Sequence, residues 1–541
     1  MNRPDTVLYN GAIHTMEAEM PLASAVALSG DRIAALTSDA LGGDRLREAL
    51  APGGRAINLR GRTVIPGLVD AHLHFVEYSL RLEQVDIYEL PSLEQTLDRV
   101  AAHAATLRPG QWIRGGGWNC NLWGEGAFPS RHDLDRVTPD HPVALSSKDG
   151  HSLWVNTRAM QLAGLTAQTP DVPGGSIYRD AEGIPTGILQ EHAMGLVYDV
   201  IERPSHAEML DACRHGLGRA HRAGLTGIHD CEGAAALRVF QKLAQDGELT
   251  LRVLAHIPAE SLDAAIELGV RDGLGNEWVR LAGIKAFVDG SLGSRSAWML
   301  EPYEGSPGNC GIPTTTEEAL GELVRKANGA GLSVAVHAIG DAANRAVLDA
   351  VAVADTATAR GAAALPVRNR VEHAQLLHPD DVPRLAALGV IASGQPIHAT
   401  ADIDLVERYW GARGATSYAW RSLLEAGTVL AFGSDAPVES ISPLAGIHAA
   451  VTRRRANGYP GPQGWHPEQS LTVGQAVRAY TMGAAYAGGE ERLKGSLRAG
   501  KLADLVVLDR DIFSIDPMEV LQAQVVATMV GGRFVYQSEA L

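Results

Sequence analysis

Cysteine is scarce: 541 residues hold four, Cys120, Cys213, Cys231 and Cys310, and no two stand in C-x-x-C spacing. That scatter excludes a disulfide framework and a zinc finger. Positive charge is also short. Lysine and arginine number 47 against 63 aspartates and glutamates, a formal net charge of −16, and no basic cluster interrupts the pattern. A nucleic-acid surface is therefore not expected. No apolar run reaches the roughly 18 residues a membrane span needs, and the stretch from Met1 to Tyr9 lacks the apolar core of a signal peptide. The sequence thus predicts a cytoplasmic protein with a small-molecule substrate and no nucleic-acid or membrane partner; a homo-oligomer, dimer or higher, is compatible with it.

What the chain does have is an ordinary globular composition, 45% hydrophobic and 20% charged. Its length exceeds one domain, so a large domain with a smaller one is expected. Short strands separated by turns occupy the first 60 or so residues: Val7-Leu8-Tyr9, Ala25-Val26-Ala27-Leu28, then Ile33-Ala34-Ala35-Leu36 after Ser29-Gly30-Asp31-Arg32. A similar pattern returns near the end, in Leu505-Val506-Val507-Leu508, Val525 to Val530, the turn Gly531-Gly532, and Arg533 to Tyr536. Each end is too short to bury a core alone. One β-sandwich built from both, residues 1–62 and 485–541, is the economical reading.

Between them, residues 63–484 alternate apolar runs with helical stretches, the mark of a parallel α/β sheet. The expected strands lie at 63–72, 227–229, 251–254, 281–287, 333–337, 370–373, 390–393 and 429–432. Eight strand–helix units imply a closed (β/α)8 barrel with its active site at the C-terminal strand ends. The interval of about 75–222 is too long for one helix. It carries its own turns and four tryptophans, Trp112, Trp118, Trp123 and Trp154. As an insertion after the first strand it is expected to emerge at the catalytic face, as a substrate cap. Taken singly, each tryptophan reads as part of the insertion's own core.

The chain is organised around Pro66-Gly67-Leu68-Val69-Asp70-Ala71-His72-Leu73-His74. Two histidines two apart on a strand point to one face, and converging imidazoles supply half of a four-coordinate metal shell. Alone, such a pair is compatible with chance. Yet Lys285, His337, His373 and Asp435 also stand at or near the ends of apolar strands. A barrel gathers all those ends into one ring, so the set of six points to metal binding.

These words, with Ile284 to Gly293, His337-Ala338-Ile339-Gly340-Asp341, Glu372-His373-Ala374, Gln395-Pro396, Gly433 to Val438 and Gly500 to Val506, resemble the amidohydrolase superfamily of metal-dependent hydrolases. The resemblance narrows to the YtcJ-like branch that includes N-substituted formamide deformylases, and it covers nearly the whole chain. It implies two divalent ions, zinc or else manganese, cobalt or iron. His72, His74 and Asp435 would hold one, His337 and His373 the other, with a carbon-dioxide-derived carbamate on Lys285 between them. Asp435 would be the catalytic base, and a C–N bond of an N-substituted amide or formamide the target. The same kind of site also opens lactones and esters, while intact ligands argue against a non-catalytic scaffold. Candidate substrate contacts are Trp118, His151, Asn156, Glu191 and Asp289. Glu191 is also an alternative bridging carboxylate or a plain salt-bridged residue, and Asp289 a partner of the ligands or a turn residue. The Trp-bearing insertion favours an apolar or aromatic substituent. His229 and Cys231 are not expected to be ligands.

Overall fold

Eight short strands pair side by side, in parallel and in chain order: β1 (Leu68–Leu73), β2 (Leu225–Asp230), β3 (Arg252–Pro258), β4 (Val279–Phe287), β5 (Val334–Ala338), β6 (Arg370–His373), β7 (Ile391–Gly394) and β8 (Leu430–Phe432). The computed structural model describes residues 3–88, 90–123, 128–147, 152–172, 175–293, 295–358 and 367–539. Strands β1, β2, β6, β7 and β8 are buried at every position, which is why they read as near-continuous apolar runs. The sheet curls until its two edge strands nearly meet. The seam is closed just past β8, where Asp435 N donates to His72 O at 2.7 Å and His74 N to Ala436 O at 2.8 Å. A methyl group on Gly433 would stand 2.4 Å from His72 N, so only glycine permits this approach.

Several polar side chains inside the barrel are paired across it. Arg370 on β6 reaches across it: Nη1 lies 2.9 Å from His229 Nδ1, and Nη2 donates to Ala71 O at 2.7 Å and Ser393 Oγ at 2.8 Å. One guanidinium thus ties β1, β2, β6 and β7 together, using donors that would be costly to bury unpaired. Asp70 on β1 accepts from Ser434 N at 3.0 Å and Ser434 Oγ at 2.5 Å, which fixes the turn carrying Asp435. Burial pushes the Asp70 carboxyl up to about 7 against those hydrogen bonds.

Both chain ends contribute to a second, eight-stranded sheet. Its order is Arg533–Gln537, Val525–Val530, Leu505–Leu508, Thr63–Pro66, Thr6–His14, Leu22–Ser29 and Arg32–Thr37, with Arg55–Asn58 beside Thr6–His14. Leu8, Val26, Val64, Leu505, Val507 and Met529 form its core. One expectation is corrected here. The apolar stretch 63–72 is not one strand: Thr63–Pro66 pairs antiparallel with Leu505–Leu508, and only Leu68–Leu73 belongs to the barrel. The break falls at Gly67, where a Cβ would lie 2.2 Å from Thr226 Oγ1. Hydropathy does not mark it, because both halves are equally buried. A buried bidentate pair, Arg252 Nε to Asp504 Oδ2 at 2.7 Å and Nη2 to Oδ1 at 3.0 Å, fastens the barrel to this sheet.

Residues 77–213 form a compact unit of their own, Glu77–Cys213. Its six-stranded sheet runs Gly175–Arg179, Pro185–Glu191, Ser152–Val155, Val143–Ser147, Ile113–Trp118 and Val85–Asp86. Trp118 and Trp154 meet edge to face in its core, centroids 6.3 Å apart, with Trp123 packed against both. Their indole nitrogens donate to backbone carbonyls of the same unit, those of Leu145, Ser130 and Leu90. Among the described residues no helix is long and apolar enough to cross a membrane.

Candidate metal centre

His72, His74, Lys285, His337, His373 and Asp435, drawn from the ends of β1, β4, β5 and β6 and from the turn after β8, all line one cavity of about 390 Å³. Parallel pairing brings them there: His337 on β5 is in register with Phe287, and His373 on β6 with Ala338. The backbone is bent to present them. His373, Ala374 and Asp435 have φ of 73°, 44° and 58°, and such left-handed non-glycine residues gather at functional sites.

The outer nitrogens of three of the imidazoles are occupied. His72 Nδ1 lies 2.5 Å from Glu372 Oε2, His373 Nδ1 2.9 Å from Gln395 Oε1, and His337 Nε2 3.0 Å from Gly290 O. Each partner is an acceptor, so each contacted nitrogen carries the hydrogen and the other keeps its lone pair. His72 Nε2 and His74 Nε2 stand 3.6 and 3.5 Å from Asp435 Oδ1. These three donor atoms lie within 4.8 Å of one another, as do those of His373, His398 and Asp435. Either group has the donor set of a divalent-ion site. Lys285 is buried, and its Nζ has no hydrogen-bond partner.

Electrostatics keep the rings neutral, the form that ligates metal. Burial, then the charge of Lys285, lowers His74 to about 4; burial also brings His337 and His398 to about 4. His72 and His373 are held well below the usual imidazole range, chiefly by burial. Glu372 goes the other way from its own desolvation. Burial would raise its carboxyl, but Arg370 and His72 outweigh that and hold it well below the usual carboxylate range. It is thus an anionic acceptor fixed behind His72.

The structure also redistributes roles. His337 packs beside His373, centroids 4.5 Å apart, but belongs to neither donor group; His398 takes that place. Asp289, expected as a substrate contact, is not among the residues that line the cavity. Its carboxylate accepts from Trp298 N at 2.9 Å, Gly340 N at 2.8 Å and Ile339 N at 3.1 Å, joining the loops after β4 and β5 behind His337. Asn156 is likewise structural: it caps the helix Thr157–Leu162 and donates to His141 O at 2.7 Å. Trp118 is spent on the insertion's core, so the aromatic-substituent inference drawn from the tryptophans loses its basis. His151 and the Glu191 side chain lie outside the described residues.

Two residues of the site were not singled out from sequence. His398 sits in the first turn of the helix Pro396–Ala401 that follows β7, and Glu372 one residue before His373. The signal for His398 was its place past an apolar strand, in Gln395-Pro396-Ile397-His398. For Glu372 it was a carboxylate inside a strand otherwise buried, which demands a partner.

A family model described as the amidohydrolase family matches residues 55–536. YtcJ of Bacillus subtilis (strain 168) is 33% identical over 502 residues, 91% of this chain and 93% of that protein. The N-substituted formamide deformylase of Arthrobacter pascens is 29% identical over 549 residues, 98% of each. The crystal structure of an uncharacterized metal-dependent hydrolase from Pyrococcus furiosus aligns with a TM-score of 0.77 at 30% identity, covering 94% of this chain and 100% of that one.

Proposed function

The chain belongs to the amidohydrolase family, and from that premise we propose that it is a metal-dependent hydrolase cleaving the C–N bond of an N-substituted amide or formamide. The observation that carries this reading is the inward convergence of neutral imidazole nitrogens on Asp435, each outer nitrogen already taken where a partner is seen. The relative named N-substituted formamide deformylase supports the choice of bond.

The residues fit a divalent ion. His72, His74 and Asp435 would hold one; His373 would hold a second, with His398 or His337 beside it. Lys285 Nζ, buried without a hydrogen-bond partner and 4.6 Å from the centroid of the Phe287 ring, would carry the carbamate. Its amine would add carbon dioxide and release a proton, giving an anion with two oxygens. A bound divalent ion polarises a carbonyl and makes a water molecule acidic near neutral pH. Asp435 would take a proton of the attacking water and deliver it to the departing amine nitrogen, so that as the C–O bond forms and the C–N bond breaks, amide and water together give a carboxylic acid and an amine. Glu372 keeps His72 in the right tautomer and orientation while this happens.

The reading is tested by screening N-formyl, N-acyl, cyclic amide and lactone substrates against metal-loaded protein. Release of amine from N-formyl or N-acyl compounds supports it, and activity on lactones alone would replace it with an esterase. Two further outcomes are expected. Glu372→Gln should weaken metal affinity by about 10- to 100-fold, measured by competition with a chromophoric chelator; unchanged affinity would remove Glu372 from the site's support. Lys285→Ala should lower metal content, short carboxylic acids should partly restore it, and reconstitution of metal-free wild type should require bicarbonate. A high-resolution map with a bare Lys285 amine beside fully occupied, active metals would rule the carbamate out.

A further inference from the structure

Resting on the hydrolase reading above, we propose that the cavity wall formed by Gln375 and Asp402 is a subsite for a protonated amine on the substrate's N-substituent. Both residues line the cavity that holds the histidines. Gln375 is 3% exposed, and its Oε1 has no hydrogen-bond partner. Its Nε2 is 3.5 Å from His398 Nδ1, which leaves Oε1 as an unpaired acceptor buried in the cavity wall. An acceptor buried this way carries a desolvation penalty that a ligand N–H would relieve.

Asp402 supplies the charge. Its Oδ2 accepts from Tyr418 OH at 2.5 Å, and among the described residues no cationic group forms an ion pair with it. Arg455, the guanidinium whose field reaches it, is committed to Thr400 O at 2.9 Å, Ala401 O at 3.1 Å and Asp404 at 2.8 Å. Burial pushes the Asp402 carboxyl up to about 6, a penalty on its charge that a bound cation would relieve. Tyr418 holds the two halves of the subsite together. It accepts a φ of 49°, and its N–H donates to Gln375 O at 2.7 Å while its hydroxyl binds Asp402. A carboxylate without a cation beside an unpaired carbonyl is a site for a group with several N–H donors and positive charge.

The rest of the wall agrees with this. Glu439 lines the same cavity, and among the described residues no lysine or arginine other than Lys285 does so. A substrate bearing its own carboxylate would therefore meet acidic groups at this end. Leu405 and Val438 offer apolar surface for a short aliphatic stem. Because His398 Nε2 is 3.8 Å from Asp435 Oδ2, the subsite begins next to the reacting centre, and the stem it accommodates is short.

The experiment compares three N-formyl compounds on the metal-loaded full chain: monoformylated diaminobutane, its neutral isostere N-formylpentylamine, and N-formyl-γ-aminobutyrate. The ammonium compound is expected to have kcat/KM at least about tenfold above the isostere, with the carboxylate the poorest. Asp402→Asn should bring the ammonium-to-neutral ratio close to one, and Gln375→Met should lower it. A wild-type ratio of one or less overturns the proposal, as does an Asp402→Asn variant that is folded by circular dichroism and loses all three activities alike. If neither N-formyl nor N-acyl compounds are cleaved, the hydrolase reading fails separately. The subsite is then read from melting temperature: the ammonium compound should stabilise wild type, and the neutral one should not. Equal shifts, or none, would overturn it.

Discussion

Replacing Asp435 by asparagine is expected to lower turnover by about two orders of magnitude or more in a protein that still folds. Asparagine has nearly the same shape, and it tolerates the left-handed conformation that Asp435 adopts at φ 58°. The backbone bond from Asp435 N to His72 O therefore survives. What disappears is the capacity to take up a proton and the charge that faces His72, His74 and His398 at 3.5 to 3.8 Å. Metal content should fall, and the remaining loaded fraction should turn over slowly. Steady-state kinetics alongside elemental analysis separate the two effects. Retention of more than about a tenth of wild-type turnover per bound metal would assign the proton to another residue.

The double replacement His72→Ala and His74→Ala should go further, to turnover indistinguishable from background. Both rings supply Nε2 next to Asp435 Oδ1, so their removal leaves that donor group with one member. A lone carboxylate does not retain a divalent ion against a modest chelator. Wild type should lose activity on strong chelation and recover it with zinc, manganese or cobalt. The double variant should recover none. Full activity in protein freed of metal would end the hydrolase mechanism proposed above. A side effect is expected too: without the His72 ring, Glu372 keeps Arg370 but loses one buried partner, so the melting temperature should drop.

Why some residues were legible and others were not follows from how each is held. His72 and His74 announce themselves because a strand sends alternate side chains to one face, and that periodicity is written in the sequence. His337, His373, Lys285 and Asp435 are legible for a related reason: a polar group interrupting or ending an apolar run is conspicuous. The eight runs themselves are visible because parallel strands are covered on both faces, which demands near-continuous hydrophobicity. The family words then order them.

Hydropathy could not show where one sheet ends and another begins. Thr63–Pro66 and Leu68–Leu73 are equally apolar, and only their partners, Leu505–Leu508 for one and β2 for the other, assign them to different sheets. Nor could it separate a buried tryptophan from a pocket tryptophan. Trp118 is settled by its bond to Leu145 O and its packing on Trp154. The same holds for Asn156 and Asp289, whose carbonyl and carboxylate oxygens are consumed by backbone N–H groups that lie far off in sequence or around a turn.

The sequence by itself determined the barrel, the six ligand-capable residues and the family, because each depends on local periodicity or on short words. Only the tertiary structure decided that His398 joins His373 and Asp435, that Glu372 stands behind His72, and that Gln375 and Asp402 face the same cavity. Those pairings are set by which strand ends the closed ring brings together, across separations of up to 300 residues. No local pattern encodes a contact of that kind; it exists only once the seam between β1 and β8 has closed.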